Sequence, residues 1–343
     1  MSKLAVVVLN WNGAAMLERY LPSVTSFSNL KGVSVWVADN GSTDDSVELV
    51  KSKFPSVYLL ELEDNYGFAE GYNRAIRKIA AEYIVLLNSD VEVSEHWLEP
   101  MIHYLDQNPE VAACQPKIKS WHNKDYFEYA GACGGFIDQW GYPFCRGRVM
   151  DILEEDTGQY DSIIPVFWAS GAALCIRREV YLEVGGLDPR FFAHMEEIDL
   201  CWRLASRGHS LVVLPESIVY HLGGATLKKS NPKKTFLNFR NNLLMMYKNL
   251  PDKKLKKVMR MRYLLDNMAI LFFILKGQTN YAKAVRSARK EFKEMKPLFE
   301  SDRQNNLDLA IAEPKGVMKS SLIWQYYLKG KTKFTELTKN INI

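Results

Sequence analysis

A chain of 343 residues exceeds what one compact core usually holds, so two domains, or one large domain with an extension, are expected. Hydrophobic residues at 47% and charged residues at 24% exclude wholesale disorder, because a disordered chain lacks the apolar surface that offsets the entropy of ordering. The formal charge is only +4, yet Lys228 to Arg262 holds twelve Lys or Arg against the single acid Asp252, which points to an anionic partner surface, nucleic acid or lipid.

From residue 4 to 118, short apolar runs alternate with helical stretches. The runs are 4–9, 33–38, 57–62, 83–87 and 111–116, and the helices between them cover 17–27, 44–54, 69–81 and 95–108. Near-continuous Val, Leu and Ile suit strands buried on both faces, so the rhythm predicts an α/β fold with an open, mostly parallel sheet flanked by helices. Ser42 and Ser94 stand where helix N-caps would lie. Residues 120–166 turn to Gly and aromatics, which predicts hairpins and loops, with Arg146 and Arg148 on a surface loop. A strand at 172–176, a helix at 197–207 closed by Gly208, and strands at 211–214 and 218–220 follow.

After His221 the chain becomes basic and helical, with helices at 235–250, 254–276 and 281–295 and a division expected between residues 1–227 and an extension, 228–343. The longest apolar run there, Met268 to Leu275, is far short of the roughly 20 residues that span a bilayer. An interfacial helix on anionic lipid and a helix packed on the first domain are both open. Asn10, Trp11 and Asn12 interrupt the only N-terminal apolar run, so no signal peptide is expected, and cytoplasmic residence, peripheral at the inner membrane face, is the expectation. Cys114, Cys133, Cys145, Cys175 and Cys201 form no CxxC pair and read as reduced, buried thiols.

Five stretches lie at or just after the carboxyl ends of predicted strands, the edge where open parallel sheets collect ligands: LNWNG at 9–13, ADNGSTDDS at 38–46, DNYGFAEGYN at 64–73, LNSDVE at 87–92 and HMEEIDLCWR at 194–203. Asp39 can accept a hydrogen bond from a nucleobase imide or a ribose hydroxyl, or simply form an Asx turn. Gly67 and Gly71, with Asn65 and Asn73, open a helix at which amides can approach phosphate, although no GxGxxG spacing is present. Asp90 offers a hard oxygen to a divalent cation bridging a diphosphate. Glu196, Glu197 and Asp199 begin a helix. One of them can take a proton from an attacking hydroxyl, and all three would favour a helix N-terminus in any case.

Together these stretches resemble the inverting glycosyltransferases of family 2 over about residues 4–224. The resemblance implies the GT-A fold, a nucleotide diphosphate sugar as donor and a divalent cation, Mn(II) or Mg(II). It assigns Asn10, Asp39, Gly67, Asn73, Asn88, Ser89 and Asp90 to the nucleotide sugar, and Asp90 with His221 of YHLGGAT to the metal. It makes Glu197 the base and places Trp168, Ser170, Gly171 and Glu196 near the acceptor. The family's DxD appears as Asn88-Ser89-Asp90, and Glu196-Glu197 stands where similar enzymes have Glu-Asp. Those two departures motivate an alternative, a noncatalytic carbohydrate-binding or assembly protein on the same scaffold. Likeness to bacterial rhamnosyltransferases implies dTDP-L-rhamnose, with UDP-hexoses also open, and a hydroxyl of a growing, free or lipid-linked glycan as acceptor. No nucleic acid is expected as partner, since residues 228–262 contain no recognised module for it.

Overall fold

The structure, a computed structural model, describes residues 1–223 and 231–342. In its first half, β1 (Ser2–Asn10), α1 (Ala14–Phe27), β2 (Val33–Asn40), α2 (Ser46–Lys53), β3 (Tyr58–Leu62), α3 (Gly67–Lys78) and β4 (Ala81–Asn88) alternate as the apolar rhythm predicts. Next come β5 (Val91–Val93), α4 (Glu99–Gln107), β6 (Val111–Ser120) and five short strands, β7 (Gly135–Asp138), β8 (Pro143–Cys145), β9 (Arg148–Val149), β10 (Ile152–Leu153) and β11 (Ile164–Pro165). Then follow β12 (Ala173–Arg177), α5 (Arg178–Glu183), α6 (Glu196–Ser206) and β13 (Ser210–His221).

The main sheet has the order β11-β13-β6-β12-β4-β1-β2-β3, with β5 also on β13. β1 runs parallel to β2 and β4, β2 to β3, and β6 to β13, whereas β12 lies antiparallel between β4 and β6. Successive side chains of β1 enter opposite cores: Leu4, Val6 and Val8 one layer, Ala5 and Val7 the other. This period-two partition is why an unbroken apolar run was needed. The two strands expected at 211–214 and 218–220 are one strand, broken by a register shift at Leu214/Ile218 where Pro215 cannot donate to the ladder.

Neither expected serine cap forms. Ser42 turns back to Asp39, and α2 begins only at Ser46, whose amide donates to Asp44 Oδ1 at 3.1 Å. The Ser94 hydroxyl donates to the Ile218 carbonyl at 2.8 Å instead. The surface-loop reading of Arg146 and Arg148 is also corrected. Both are buried, and their guanidiniums donate to the carbonyls of Cys133, Ser162 and Met150. All five cysteines are buried and unpaired.

The extension holds α7 (Pro232–Asn249), α8 (Asp252–Leu275), α9 (Thr279–Met295), α10 (Glu300–Asp308), β14 (Val317–Met318) and α11 (Leu322–Tyr327). The boundary expected at 227/228 lies outside the described residues. On either side of it the two parts share a core: Leu244, Met246, Phe299 and Phe334 join the cluster containing Ala5 and Val7. β14 completes a second sheet of order β10-β9-β8-β7-β14, and Phe334 packs 4.8 Å from Phe136.

Part of the basic tract is internal rather than partner-facing. Lys248 pairs with Asp188 and Asp199, Arg240 with Glu291, and Arg262 with Asp266, because cations carried into a core persist only beside acids. Lys228 and Lys229 lie outside the described residues. Among the described residues no helix is long and apolar enough to cross a membrane.

Candidate active site

The carboxyl ends of β1, β2 and β4 adjoin, with Asn10 in register with Asp39 and Leu9 with Asn88. Asp39 is held there by protein donors. Its Oδ1 accepts from the Ser42 hydroxyl at 2.6 Å and Asn10 Nδ2 at 3.0 Å, and its Oδ2 from the Ser42 amide at 2.9 Å. A carboxylate oxygen accepts about two hydrogen bonds, so Oδ2 keeps one position for a ligand N–H or O–H. Asn10 Oδ1 is buried with no protein partner.

Asn40 links this turn to the next loop. Its Nδ2 donates to Asn65 Oδ1 and the Gly67 carbonyl, and its Oδ1 accepts from the Tyr66 amide. Gly41, at φ +72°, lies so close to that loop that a Cβ would sit 2.7 Å from the Asp64 carbonyl carbon. Gly67 stays open at the start of α3, whereas the donor-binding expectation for Asn73 is corrected. Asn73 Nδ2 donates to the Leu187 carbonyl at 2.8 Å, and its Oδ1 accepts from the Leu187 amide and the Tyr181 hydroxyl. The side chain is a buried tie between α3 and the 185–187 turn.

Asn88 and Ser89 are half-exposed just past the apolar stretch of β4, and Asp90 is buried. His221, the last residue of β13, pairs in register with Val91, which brings its Nε2 to 3.2 Å from Asp90 Oδ1. Cis ligands of an octahedral ion with bonds of about 2.2–2.3 Å lie about 3.1–3.2 Å apart, so this edge suits Mn(II) better than Mg(II), whose bonds of about 2.0–2.1 Å would draw the two ligands slightly closer. Among the described residues no three His, Cys, Asp or Glu enclose an ion by themselves. Two protein ligands suit an ion whose coordination is completed by substrate phosphates and water.

Behind the histidine, Glu128 Oε2 stands 3.4 Å from Nδ1. Burial alone would lower the His221 pKa, but Asp90 and Glu128 outweigh it and raise it to about 10. Burial would likewise raise the Glu128 carboxyl, yet His221 holds it below the ordinary range. Among the described residues Nδ1 makes no hydrogen bond, and Glu128 acts on it as a nearby negative charge, while Nε2, which faces Asp90, is the atom placed to ligate once it gives up its proton. A cleft of about 390 Å³ opens beside His221, lined also by Ser120, His122, Gly223 and Lys234.

The acids of α6 divide sharply. Asp199 is consumed by Arg203, Lys248 and Asn249. Glu196 and Glu197 each keep a buried Oε2 without a protein partner. Burial raises both carboxyls. Glu196, which also feels the charge of Glu197, rises well above the ordinary range. A Cβ built on Gly171 would lie 3.6 Å from Glu197 Cβ and 3.7 Å from the Phe68 ring, so Glu197 and Phe68 flank Gly171. The next residue, Ala172, accepts the Asn88 amide at 3.0 Å. Gly171 thus joins Glu197 to the Asn88–Asp90 turn.

The loop before these acids is strained. Phe192, His194 and Met195 all adopt positive φ, at 67°, 70° and 77°. Such backbone is costly for non-glycine residues and persists only where its surroundings impose it. Asn241 of α7 does so, its Nδ2 reaching the carbonyls of Phe191, Ala193 and His194, each at 2.8 Å.

Two acceptor expectations are corrected. Trp168 is buried against Gly135 with Nε1 donating to the Phe136 carbonyl at 3.0 Å, so no ring face is left for a sugar. Ser170 is buried too, its hydroxyl donating to the Ala130 carbonyl at 2.6 Å. Of that stretch only Gly171 borders the site.

Residues 5–161 match the family model Glycosyl transferase family 2. Over that stretch, a little under half of its length, the chain is similar to glycosyltransferase family 2. This transferase is 29% identical over 236 residues to the N-acetylglucosaminyl-diphospho-decaprenol L-rhamnosyltransferase of Mycobacterium tuberculosis, covering 64% of this chain and 75% of the relative. It is 27% identical over 241 residues to the pre-mycofactocin glycosyltransferase of the same organism, covering 67% of this chain and 45% of that one.

Among solved structures, the mannosyltransferase PcManGT from Pyrobaculum calidifontis, in complex with GDP-Man and Mn2+, superposes with a TM-score of 0.51 at 14% identity, covering 90% of this chain and 84% of that one. GalNAc-T7 with UDP, GalNAc and Mn2+ gives 0.57 at 18% identity, covering 74% of this chain and 49% of that one. The transferase therefore has the GT-A fold, with a helical C-terminal region.

Four residues of the transferase escaped the sequence reading: Asn40, Glu128, His194 and Asn241. His194 Nε2 is buried without a partner, and burial, with the charge of Lys234 adding to it, lowers its pKa to about 4. Only its place two residues before Glu196 hinted at a role. Nothing local marks Glu128 or Asn241, which reach the site by tertiary approach.

Proposed function

We propose that the transferase moves one hexose or deoxyhexose from a nucleotide diphosphate sugar to a hydroxyl of a growing glycan, with inversion, using a divalent cation held by Asp90 and His221. One observation carries this reading: Glu196 and Glu197 each keep a buried Oε2 without a protein partner, one backbone turn from the Asp90–His221 edge. Glu196, pushed further up, holds the proton and can donate to a sugar hydroxyl. Glu197, less perturbed, is the ionised partner that accepts the proton of the attacking alcohol. As that proton reaches Glu197 Oε2, the acceptor oxygen bonds to the anomeric carbon and the C1–O bond to the diphosphate breaks, the leaving oxygen keeping the electron pair. When bound, the cation supplies neutralisation of the charge that develops on the diphosphate. Asp39, through the free acceptor position on Oδ2, orients the nucleotide base.

The name of the mycobacterial relative supports L-rhamnose as the sugar and a polyprenyl-diphosphate glycan as the acceptor class. The two solved neighbours, both with Mn2+, support the cation. The test is a panel of dTDP-L-rhamnose and UDP-hexoses with Mn(II), Mg(II) or chelator, offered N-acetylglucosaminyl-diphospho-lipid, with product mass and anomeric NMR as readouts. Metal-dependent transfer with inverted anomeric configuration is expected. A retained configuration, undiminished transfer in chelator, or no transfer from any donor would overturn the proposal.

A further inference from the structure

We propose that α8 docks the protein on an anionic lipid surface. Its second half, residues 263–275, is apolar on nearly every side, a pattern that requires cover all round. The structure covers one side only. Arg262, Asp266 and Ile270 face inward at four-residue spacing, and Ile270 packs in a cluster with Ala282 and Val285 of α9. On the outward side Leu264, Met268, Leu271 and Leu275 recur at spacings of four, three and four and are between 55% and 78% exposed, flanked by Tyr263, Phe272 and Ile274. Seven large apolar side chains within thirteen residues form the kind of contiguous exposure that marks an interaction surface.

Charge selects the occupant. The first half of α8 exposes Lys253, Lys256, Lys257 and Arg260, and among the described residues no carboxylate pairs with any of them. The two acids of the helix are spoken for: Asp252 meets Arg303, and Asp266 is turned inward to Arg262 and Arg289. A second copy of the chain would offer the same basic, acid-free face and nothing to match it, whereas anionic headgroups supply the missing charge. A helix of 24 residues, about 36 Å long, can lie in the headgroup plane with the leucine stripe dipping into the acyl boundary and the lysines at the phosphates.

The inference does not depend on the donor or acceptor assigned above, and its test uses vesicles without any glycan. The full chain is floated with phosphatidylcholine vesicles and with phosphatidylcholine–phosphatidylglycerol vesicles at low and high salt. Binding to the anionic vesicles alone, weakened by salt, is expected. Lys253→Gln with Lys256→Gln and Lys257→Gln should lower the partition coefficient about a hundredfold, and Leu264→Glu with Leu271→Glu should abolish flotation. Circular dichroism and nucleotide affinity matching the parent would show both variants folded, as expected for exposed positions. Failure of the parent chain to float, or equal flotation of the Leu→Glu variant, would overturn the proposal. So would a parent dimer, seen by light scattering, that the Leu→Glu variant breaks while neither protein binds vesicles, since the face would then be a subunit interface.

Discussion

Glu197 and Asp199 sit on one turn of α6 in opposite electrostatic situations, and neutral isosteres at the two positions should separate stability from turnover. Asp199 accepts from Arg203 Nε at 2.9 Å, Lys248 Nζ at 2.9 Å and Asn249 Nδ2 at 2.8 Å. Asp199→Asn leaves buried cations short of a counter-charge, a loss of about 3–5 kcal/mol. With an unfolding entropy of about 0.7 kcal/mol/K for 343 residues, Tm should fall by about 4–7 °C.

Glu197 has no such partner to lose. Burial raises its folded pKa above the ordinary 4.5, so between those values the folded chain holds a proton that the unfolded chain releases, and stability falls as pH rises. Glu197→Gln removes that cost, so the variant should melt at or above the parent, with an advantage larger at about pH 8 than at about pH 5. Turnover should drop by about 100- to 10,000-fold, as expected for loss of a general base. Thermal melts at both pH values and single-turnover sugar transfer are the measurements. A Glu197→Gln protein that melts below its parent as Asp199→Asn does, or that transfers sugar at the parental rate, would refute the assignment.

Glu128→Gln should weaken Mn(II) binding about 10- to 100-fold in an EPR titration, because the amide removes the negative charge beside His221 Nδ1; an unchanged affinity would remove Glu128 from the site. Asn241→Ala takes the shared donor from the strained 191–194 loop, freeing the Ala193 and His194 carbonyls while Phe191 keeps Arg240, and should cost about 2–3 kcal/mol while lowering kcat more than it raises donor KM. An unaltered kcat would mean the loop keeps its shape unaided. Trp168→Phe loses the bond to Phe136 and should cost about 1–3 kcal/mol with acceptor KM unchanged. A raised acceptor KM at full stability would restore sugar stacking.

The strand rhythm was readable because β1, β2 and β4 need apolar side chains on both faces, a demand visible within nine residues. Gly67, Asp90 and Glu197 stand out in the sequence as candidates because the ends of parallel strands and the starts of helices collect ligand groups, and Asp and Gly there carry a local chemical signature. Asn73, Trp168 and Ser170 misled because the same residue types also satisfy buried polar atoms or fill a core, and only their distant partners, Leu187, Phe136 and Ala130, show which role each has. Lys248, Arg240 and Arg262 looked like surface charge because the acids that meet them, Asp188, Asp199, Glu291 and Asp266, are fixed by packing and not by spacing within the tract. Glu128 reaches His221, and Asn241 clamps the loop before Glu196, across 93 and about 50 residues of chain. Local pattern encodes period and propensity, whereas the pairing of buried charges and amides is settled only when separate elements close on one another and exclude water.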